Sequence, residues 1–302
     1  MNLRKLCKQN GTRCMYNNWG KAVAIVLLLI ATSLLFTLLE LVINLLLSAP
    51  PIVDPQYDGW YLNNIPSTTI LAMTLTSIMT IGSFLIMAPL KMGVISWYYG
   101  VSEGDSPETL SIFNYFSSRR YFRALNLAIH LLGRKILWAL IYFALPAAIA
   151  GASAWLLNYG AFYMDLNLGY AIGVCGLVFS FMLALLMAVL YAIHVQKYFL
   201  AEYYVVNMDC GIWEALKKSR HASRGKRGEI LLFRLSFLPW YLLCAVVIPA
   251  LYVLPYYNIS AMLYARVLME QHYRSTQLVP VEKPAETDMD ATQIFDAVNP
   301  EE

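Results

Sequence analysis

The placement of positive charge constrains this chain more than any other feature. From Ala22 to Ser48 it is hydrocarbon interrupted by one charge, Glu40, and four more long apolar runs follow. Each exceeds the roughly 20 residues a helix needs to cross a bilayer. Lys and Arg collect in alternate connectors between these runs and are missing from the others. Only 14% of the 302 residues are charged, against about 25% in an ordinary soluble domain. These features exclude a soluble enzyme domain and predict an all-α, polytopic membrane helical bundle.

Residues 1–20 carry Arg4, Lys5, Lys8 and Arg13 with no acid, and are expected as a basic cytoplasmic N-terminus. The run at 21–48 is too long for the apolar part of a cleavable leader and reads as a retained first span. Residues 49–67 hold Asp54, Asp58, Trp60 and Tyr61 without a base, as an exported loop with aromatic interface anchors would. A second span is expected over 68–98, bent near Pro89. Ser106-Pro107-Glu108 then reads as a helix start, with a hydroxyl cap, a proline in the first turn and an acid near the positive dipole end. Leu110, Phe113 and Phe116, then Tyr121, Leu125 and Ile129, recur at helical spacing with arginines between them. That pattern predicts amphipathic helices over 107–132 lying on the inner leaflet.

Gly133-Arg134-Lys135 marks the entry to a third span over 136–157, bent near Pro146, and the base-free segment 158–167 is expected outside. The fourth apolar run starts at 168 and stays helix-compatible to about Val206, about 58 Å of helix against a core of about 30 Å. Its span is therefore placed at 168–194, with the remainder in the cytoplasm or along the interface. Residues 209–227 carry six cations, including Lys217, Lys218, Arg220 and Arg224, and read as a second interfacial helix. Residues 229–270 contain Pro239, Pro249 and Pro255 and are expected as two spans, 229–247 and 250–270, turning near Pro249. The six spans make one membrane domain over 21–274. Residues 275–302, with seven acids against Lys283, are expected as a disordered acidic cytoplasmic tail. Six crossings leave both termini in the cytoplasm and every base-free loop outside, as the positive-inside rule requires.

Particular residues carry a likeness to a known family. Glu214-Ala215-Leu216 with Ser219, Arg224-Gly225-Lys226, Leu235-Ser236-Phe237 with Trp240, and Pro255-Tyr256 with Tyr264 resemble the signature of the DUF975 family of bacterial integral membrane proteins. Pro89-Leu90 with Gly93, Phe113 with Phe116, and Leu137-Trp138 before Leu145-Pro146 resemble its earlier blocks, so the likeness covers roughly residues 85–270. Ala147 and Pro239 stand where that family usually has Gly. A looser likeness, at the level of fold, is to the membrane domain attached to some glycerophosphodiester phosphodiesterases, whose catalytic domain is not here. The resemblance implies a scaffold in the bacterial cytoplasmic membrane and no reaction.

Ionisable groups within a bilayer cost a few kcal/mol each on insertion scales, so they are the candidate functional residues. Glu40 is open to two readings: a proton or cation ligand with Asn44, or a hydrogen-bond partner for another span. Lys91, Arg234 and Arg266 all lie near the inner face and could form an anion site. They could equally be snorkelling and bundle-locking residues, with Arg234 paired to Glu229 or Glu270 and Arg266 paired to Glu270 four residues on. His194 and Tyr198 share a helical face with Tyr191 and Lys197, and Glu202 lies two turns further along, as either a titrating cluster or an interfacial belt. Lys217, Lys218, Arg220 and Arg224 suit an anionic leaflet, at about 1 kcal/mol per cation.

The five cysteines show no CxxC pattern and are expected as free thiols. Cys7 and Cys14 flank a basic segment, which leaves lipid attachment or metal binding open. The close, four-ligand spacing of a zinc site is missing, and no metal or cofactor is expected. No HExxH, GxSxG or P-loop pattern is present, and the basic segment abuts a span, which leaves little room for a duplex, so no nucleic acid is expected. The expected role is therefore a non-enzymatic membrane protein that organises lipid or a protein partner, with the acidic tail as a docking segment. The alternative is a transporter of a small solute or lipid-like molecule through the kinked spans.

Overall fold

The computed structural model describes residues 3–47, 67–163, 166–208, 210–244 and 247–277, most of them helical and with no strand among them. In chain order the helices are α1 (Leu3–Cys14), α2 (Trp19–Leu47), α3 (Ser67–Glu103), α4 (Ser118–Tyr163), α5 (Leu166–Val195), α6 (Ala201–Met208), α7 (Ile212–Ala222), α8 (Arg227–Leu235), α9 (Leu238–Leu243) and α10 (Val247–Gln277). Tighter 3₁₀ turns occupy Thr109–Phe116 and Gln196–Tyr198. Four stretches are long and apolar enough to cross a membrane: Trp19–Leu47, Ile70–Glu103, Ser118–Asn158 and Leu168–Met208.

Burial is sharply polarised along these long helices. In α2 the buried residues are Ala22, Ile25 and Val26, all at its basic end. In α3 all but Ala72 lie from Ala88 to Val101 and include Trp97 and Tyr98. The far halves carry exposed Leu, Ile and Met side chains instead. In water such a surface would aggregate; in a bilayer hydrocarbon is its solvent. The buried core forms where the basic ends of α2, α3 and α4 meet α1, α6, α7, α8 and α10.

Close backbone approaches hold the long helices together. A Cβ added at Gly93 of α3 would lie 1.9 Å from the Ile112 carbonyl oxygen, so the 3₁₀ turn seats on α3 only because residue 93 has no side chain. In the α4–α5 hairpin, a Cβ at Gly176 would come within 2.2 Å of Ser153 Oγ, and one at Gly173 within 2.7 Å of Leu157. Small residues that admit neighbouring backbones are the usual device where no hydrophobic drive separates helix from lipid. Ser180 donates to the Pro146 carbonyl at 2.7 Å across the same hairpin.

Several elements differ from the expected ones. The N-terminal segment is ordered as α1 and packs on α10, where Gly11 admits Ser260 and Cys7 is buried. The break expected at 133–135 does not occur: α4 runs unbroken for 46 residues, about 69 Å. One glycine within a strong helical pattern costs only about 1 kcal/mol. The outer connector expected at 158–167 shrinks, because α4 continues to Tyr163 and α5 begins at Leu166.

The segment 229–247 is not one helix. It divides into α8 and α9 around Ser236–Phe237, with Pro239 in the first turn of α9, where its missing N–H costs nothing. At 9 and 6 residues, neither piece can cross a bilayer alone. Pro249 falls in the first turn of α10 rather than at a loop, and α10 runs to Gln277, into the segment assigned to the acidic tail. Trp19, at the basic end of α2, stacks on Tyr252 with ring centroids 5.0 Å apart. Lys8 lies 4.1 Å over the Phe237 ring. The α8–α10 hairpin thus sits beside α1 and the start of α2. The 49–66 loop and the tail beyond 277 lie outside the described residues.

Candidate functional site

The richest cluster of polar side chains gathers around the 3₁₀ turn that follows α5. There the chain leaves its apolar run at Val195, tightens over Gln196–Tyr198 and turns into α6. Lys197 is only 4% exposed. Its ammonium lies 4.0 Å from the centroid of Trp138 on α4 and 4.9 Å from that of Tyr198. It also hydrogen-bonds Nε2 of His194. An ammonium only donates, so Nε2 accepts and the imidazole proton sits on Nδ1, directed at the Tyr142 hydroxyl 3.3 Å away. Trp138 Nε1 donates to the Tyr198 hydroxyl at 3.3 Å, and Arg134 lies over the Tyr198 and Trp213 rings.

α7 closes over this turn through two buried hydroxyls. Ser219 donates to the Lys197 carbonyl at 2.8 Å, and Ser223 donates to the Ser219 carbonyl at 2.7 Å. The charges of Arg220 on α7 and Arg227 on α8 act on both Lys197 and His194. Arg220 is exposed at the rim, while the buried Nε of Arg227 has no hydrogen-bond partner. Among the described residues no carboxylate pairs with Lys197, Arg220 or Arg227. Two neighbouring acids are engaged elsewhere: Glu202 pairs with Lys91 at 2.5 Å, and Glu214 with Lys218 at 2.8 Å. Glu229 is exposed on α8 and forms no ion pair with Arg220, Arg227 or Lys197.

The expected site residues divide between this cluster and other places. Arg234 does not pair with Glu229 or Glu270; it donates to Gln196 Oε1 at 3.2 Å and faces Phe199. Its charge, with those of Lys91 and Glu202, acts on Lys135, which makes a second charged group. Arg266 is separate from both. It donates to the carbonyl and hydroxyl of Ser102, both at 2.8 Å, and meets Glu103 at 3.7 Å, which ties α10 to the end of α3. Glu270 pairs with Arg274 instead of Arg266. Glu202, expected with His194, belongs to Lys91. Glu40 is half-buried on α2 with no polar partner among the described residues. Lys217 and Arg224 point to solvent.

Sequence reasoning missed Trp138, Arg134 and Arg227, which complete the cluster from two other helices. One signal was available: Lys197 closes the longest apolar run, three residues after His194, where a cation needs partners.

The family model described as a protein of unknown function, DUF975, matches residues 1–272. The chain belongs to the DUF975 family. No curated protein and no solved structure matches it, and nothing supports the looser likeness to the membrane domain of glycerophosphodiester phosphodiesterases. The DUF975 match extends well upstream of residue 85 and takes in α1 and α2, in line with the packing of α1 on α10. Among the described residues no three His, Cys, Asp or Glu side chains group as metal ligands.

Proposed function

We propose that this DUF975 protein is a non-catalytic organiser of the inner leaflet of a bacterial cytoplasmic membrane. Four spans anchor a helical body at the cytoplasmic face, and that body presents cations to lipid headgroups and a surface to a protein partner. The observation that supports this most directly is the polarised burial: the packed core gathers at the basic ends of the helices, and the far halves expose mainly Leu, Ile and Met side chains. Both termini lie in the cytoplasm in this reading. The 3₁₀ turn, the start of α4 and the exposed face of α7 rest on the leaflet, and residues beyond 277 serve as a docking segment.

In place of the two further spans expected over 229–270, we propose a hairpin that enters the inner leaflet and returns. Tyr252 stands level with Trp19, and Val247 lies five residues beyond it, about 8 Å of helix. That depth reaches the acyl region without crossing it. The organising role is tested by comparing lipid composition in wild-type and deletion strains, together with crosslinking of the full chain in cells. An altered leaflet composition or a reproducible crosslinked partner is expected. An unchanged membrane with no crosslinked partner refutes the role, and a solute flux in proteoliposomes that Arg234→Ala abolishes would favour a transporter.

A further inference from the structure

The cations around the turn after α5 lack the anion that their arrangement requires. Burying a lysine without a carboxylate is costly, and contacts with two aromatic rings offset only part of that cost. The charges of Arg220 and Arg227 act on Lys197 from α7 and α8, and the unpartnered buried Nε of Arg227 is a further penalty. Glu202 and Glu214 are committed to Lys91 and Lys218, and Glu229, two residues after Arg227, is exposed and forms no ion pair with it. Three cations without a counter-charge, one of them 4% exposed and one with an orphaned buried donor, are arranged for a ligand that brings its own negative charge.

The height of the cluster identifies that ligand. Trp138 begins the apolar part of α4, and His194 ends the apolar part of α5, so the site lies where hydrocarbon gives way to headgroups. Below it the exposed apolar faces of α4 and α5 carry Leu137, Ile141, Leu186 and Leu190. We infer that Arg220, Arg227 and Lys197 bind the phosphate diester of a net-anionic phospholipid of the inner leaflet, with its acyl chains along α4 and α5. The arginines hold the phosphate oxygens by charge-assisted hydrogen bonds, and Lys197 supplies charge from beneath. A zwitterionic lipid is disfavoured because its own cation would meet Arg220. This deepens the organiser reading and rests on its placement of α7 at the inner face.

The test uses the full chain, purified and delipidated, with phosphatidylglycerol, phosphatidylcholine or inorganic phosphate added in turn. Native mass spectrometry reads the bound lipid, and thermal unfolding reads the stabilisation. One phosphatidylglycerol per chain should be retained in preference to phosphatidylcholine. The pair Arg220→Gln with Arg227→Gln should weaken that binding by about tenfold or more. The pair Lys5→Gln with Arg13→Gln, exposed on α1, should leave it unchanged. If the first pair fails to fold, a photoactivatable phosphatidylglycerol on the wild-type chain should crosslink to peptides bearing Arg220, Trp138 or Lys197. The inference is overturned by equal losses in the two pairs, by crosslinks elsewhere, by no preference for the anionic lipid, or by inorganic phosphate that stabilises as well as the lipid. Because it is measured on isolated protein, its outcome is independent of the deletion-strain result.

Discussion

The contact between Gly93 and the Ile112 carbonyl gives a sharp prediction. In Gly93→Ala the new Cβ would start 1.9 Å from that oxygen, whereas ordinary contact begins at 3.4 Å. The 3₁₀ turn over Thr109–Phe116 would have to retreat by about 1.5 Å, carrying the fully buried Ile112 with it. The obstacle is backbone, which cannot swing aside as a side chain does. The upper part of the usual overpacking range, about 3 kcal/mol, therefore applies. Replacing a helical glycine by alanine returns about 1 kcal/mol, which leaves a net loss of about 2 kcal/mol. For a chain of this size that lowers Tm by about 3 °C. Gly133→Ala supplies the matched control, since nothing lies within 4 Å of its added Cβ. It should gain helix propensity alone and raise Tm by about 1–3 °C. Both are measured by thermal unfolding in the same nanodiscs. The reasoning is refuted if Gly93→Ala melts at or above the wild-type temperature, or if Gly133→Ala falls with it.

Four further outcomes follow from other contacts. Gly176→Ala should destabilise the α4–α5 hairpin through its 2.2 Å approach to Ser153 Oγ. Ser153→Ala should recover about 1 kcal/mol of that loss, beyond additivity, in a double-mutant cycle. Burial pushes the Cys7 thiol up to about 11, so Cys7 should resist maleimide between pH 7 and 9 and react only on unfolding, while half-exposed Cys14 reacts readily; mass spectrometry of labelled peptides reads both. Arg266→Ala should cost about 2 kcal/mol by stranding the link to Ser102, and Arg266→Lys should recover less than half, because a point charge cannot reproduce the guanidinium fork. Burial, with the charges of His221, Lys218 and Lys226, holds His272 below its usual range. The unfolded chain then takes up its proton first, so this contribution to stability falls as pH drops from about 6.5 towards the folded value. Tm measured at pH 7.5 and 5.5 should show a smaller acid loss in His272→Gln than in the wild type.

Much of the membrane architecture was legible because it is written in composition. Runs of Leu and Ile such as 22–39 mark a spanning helix without help from tertiary structure, and the basic connectors stand out against them. The 229–247 segment was misread because length and hydropathy do not register how a proline at 239 divides a helix into pieces. The order of α1 was hidden for a different reason. A basic segment with Gly11 in its middle has weak helical propensity, and α10 supplies what the segment itself lacks. Side-chain pairing was the least legible level. Arg234 and Glu270 sit near several partners of opposite charge along the sequence, yet contacts brought by α5 and by the next turn of α10 decide the pairing. Lys197 drew notice only as a neighbour of His194, because its burial depends on Trp138 and Ser219, which lie 59 and 22 residues away in sequence.

The threading of the chain can be tested on a cysteine-free background carrying Trp60→Cys, Arg220→Cys or Ile248→Cys, one at a time, in cells exposed to a membrane-impermeant maleimide. A four-span anchor with its helical body and shallow hairpin on the cytoplasmic side requires that position 60 alone be labelled in intact cells, that 220 be labelled only after permeabilisation, and that 248, within the acyl region, be shielded in both. Labelling of 248 in intact cells would mean that the hairpin crosses the bilayer, and labelling of 220 together with 60 would contradict the threading altogether.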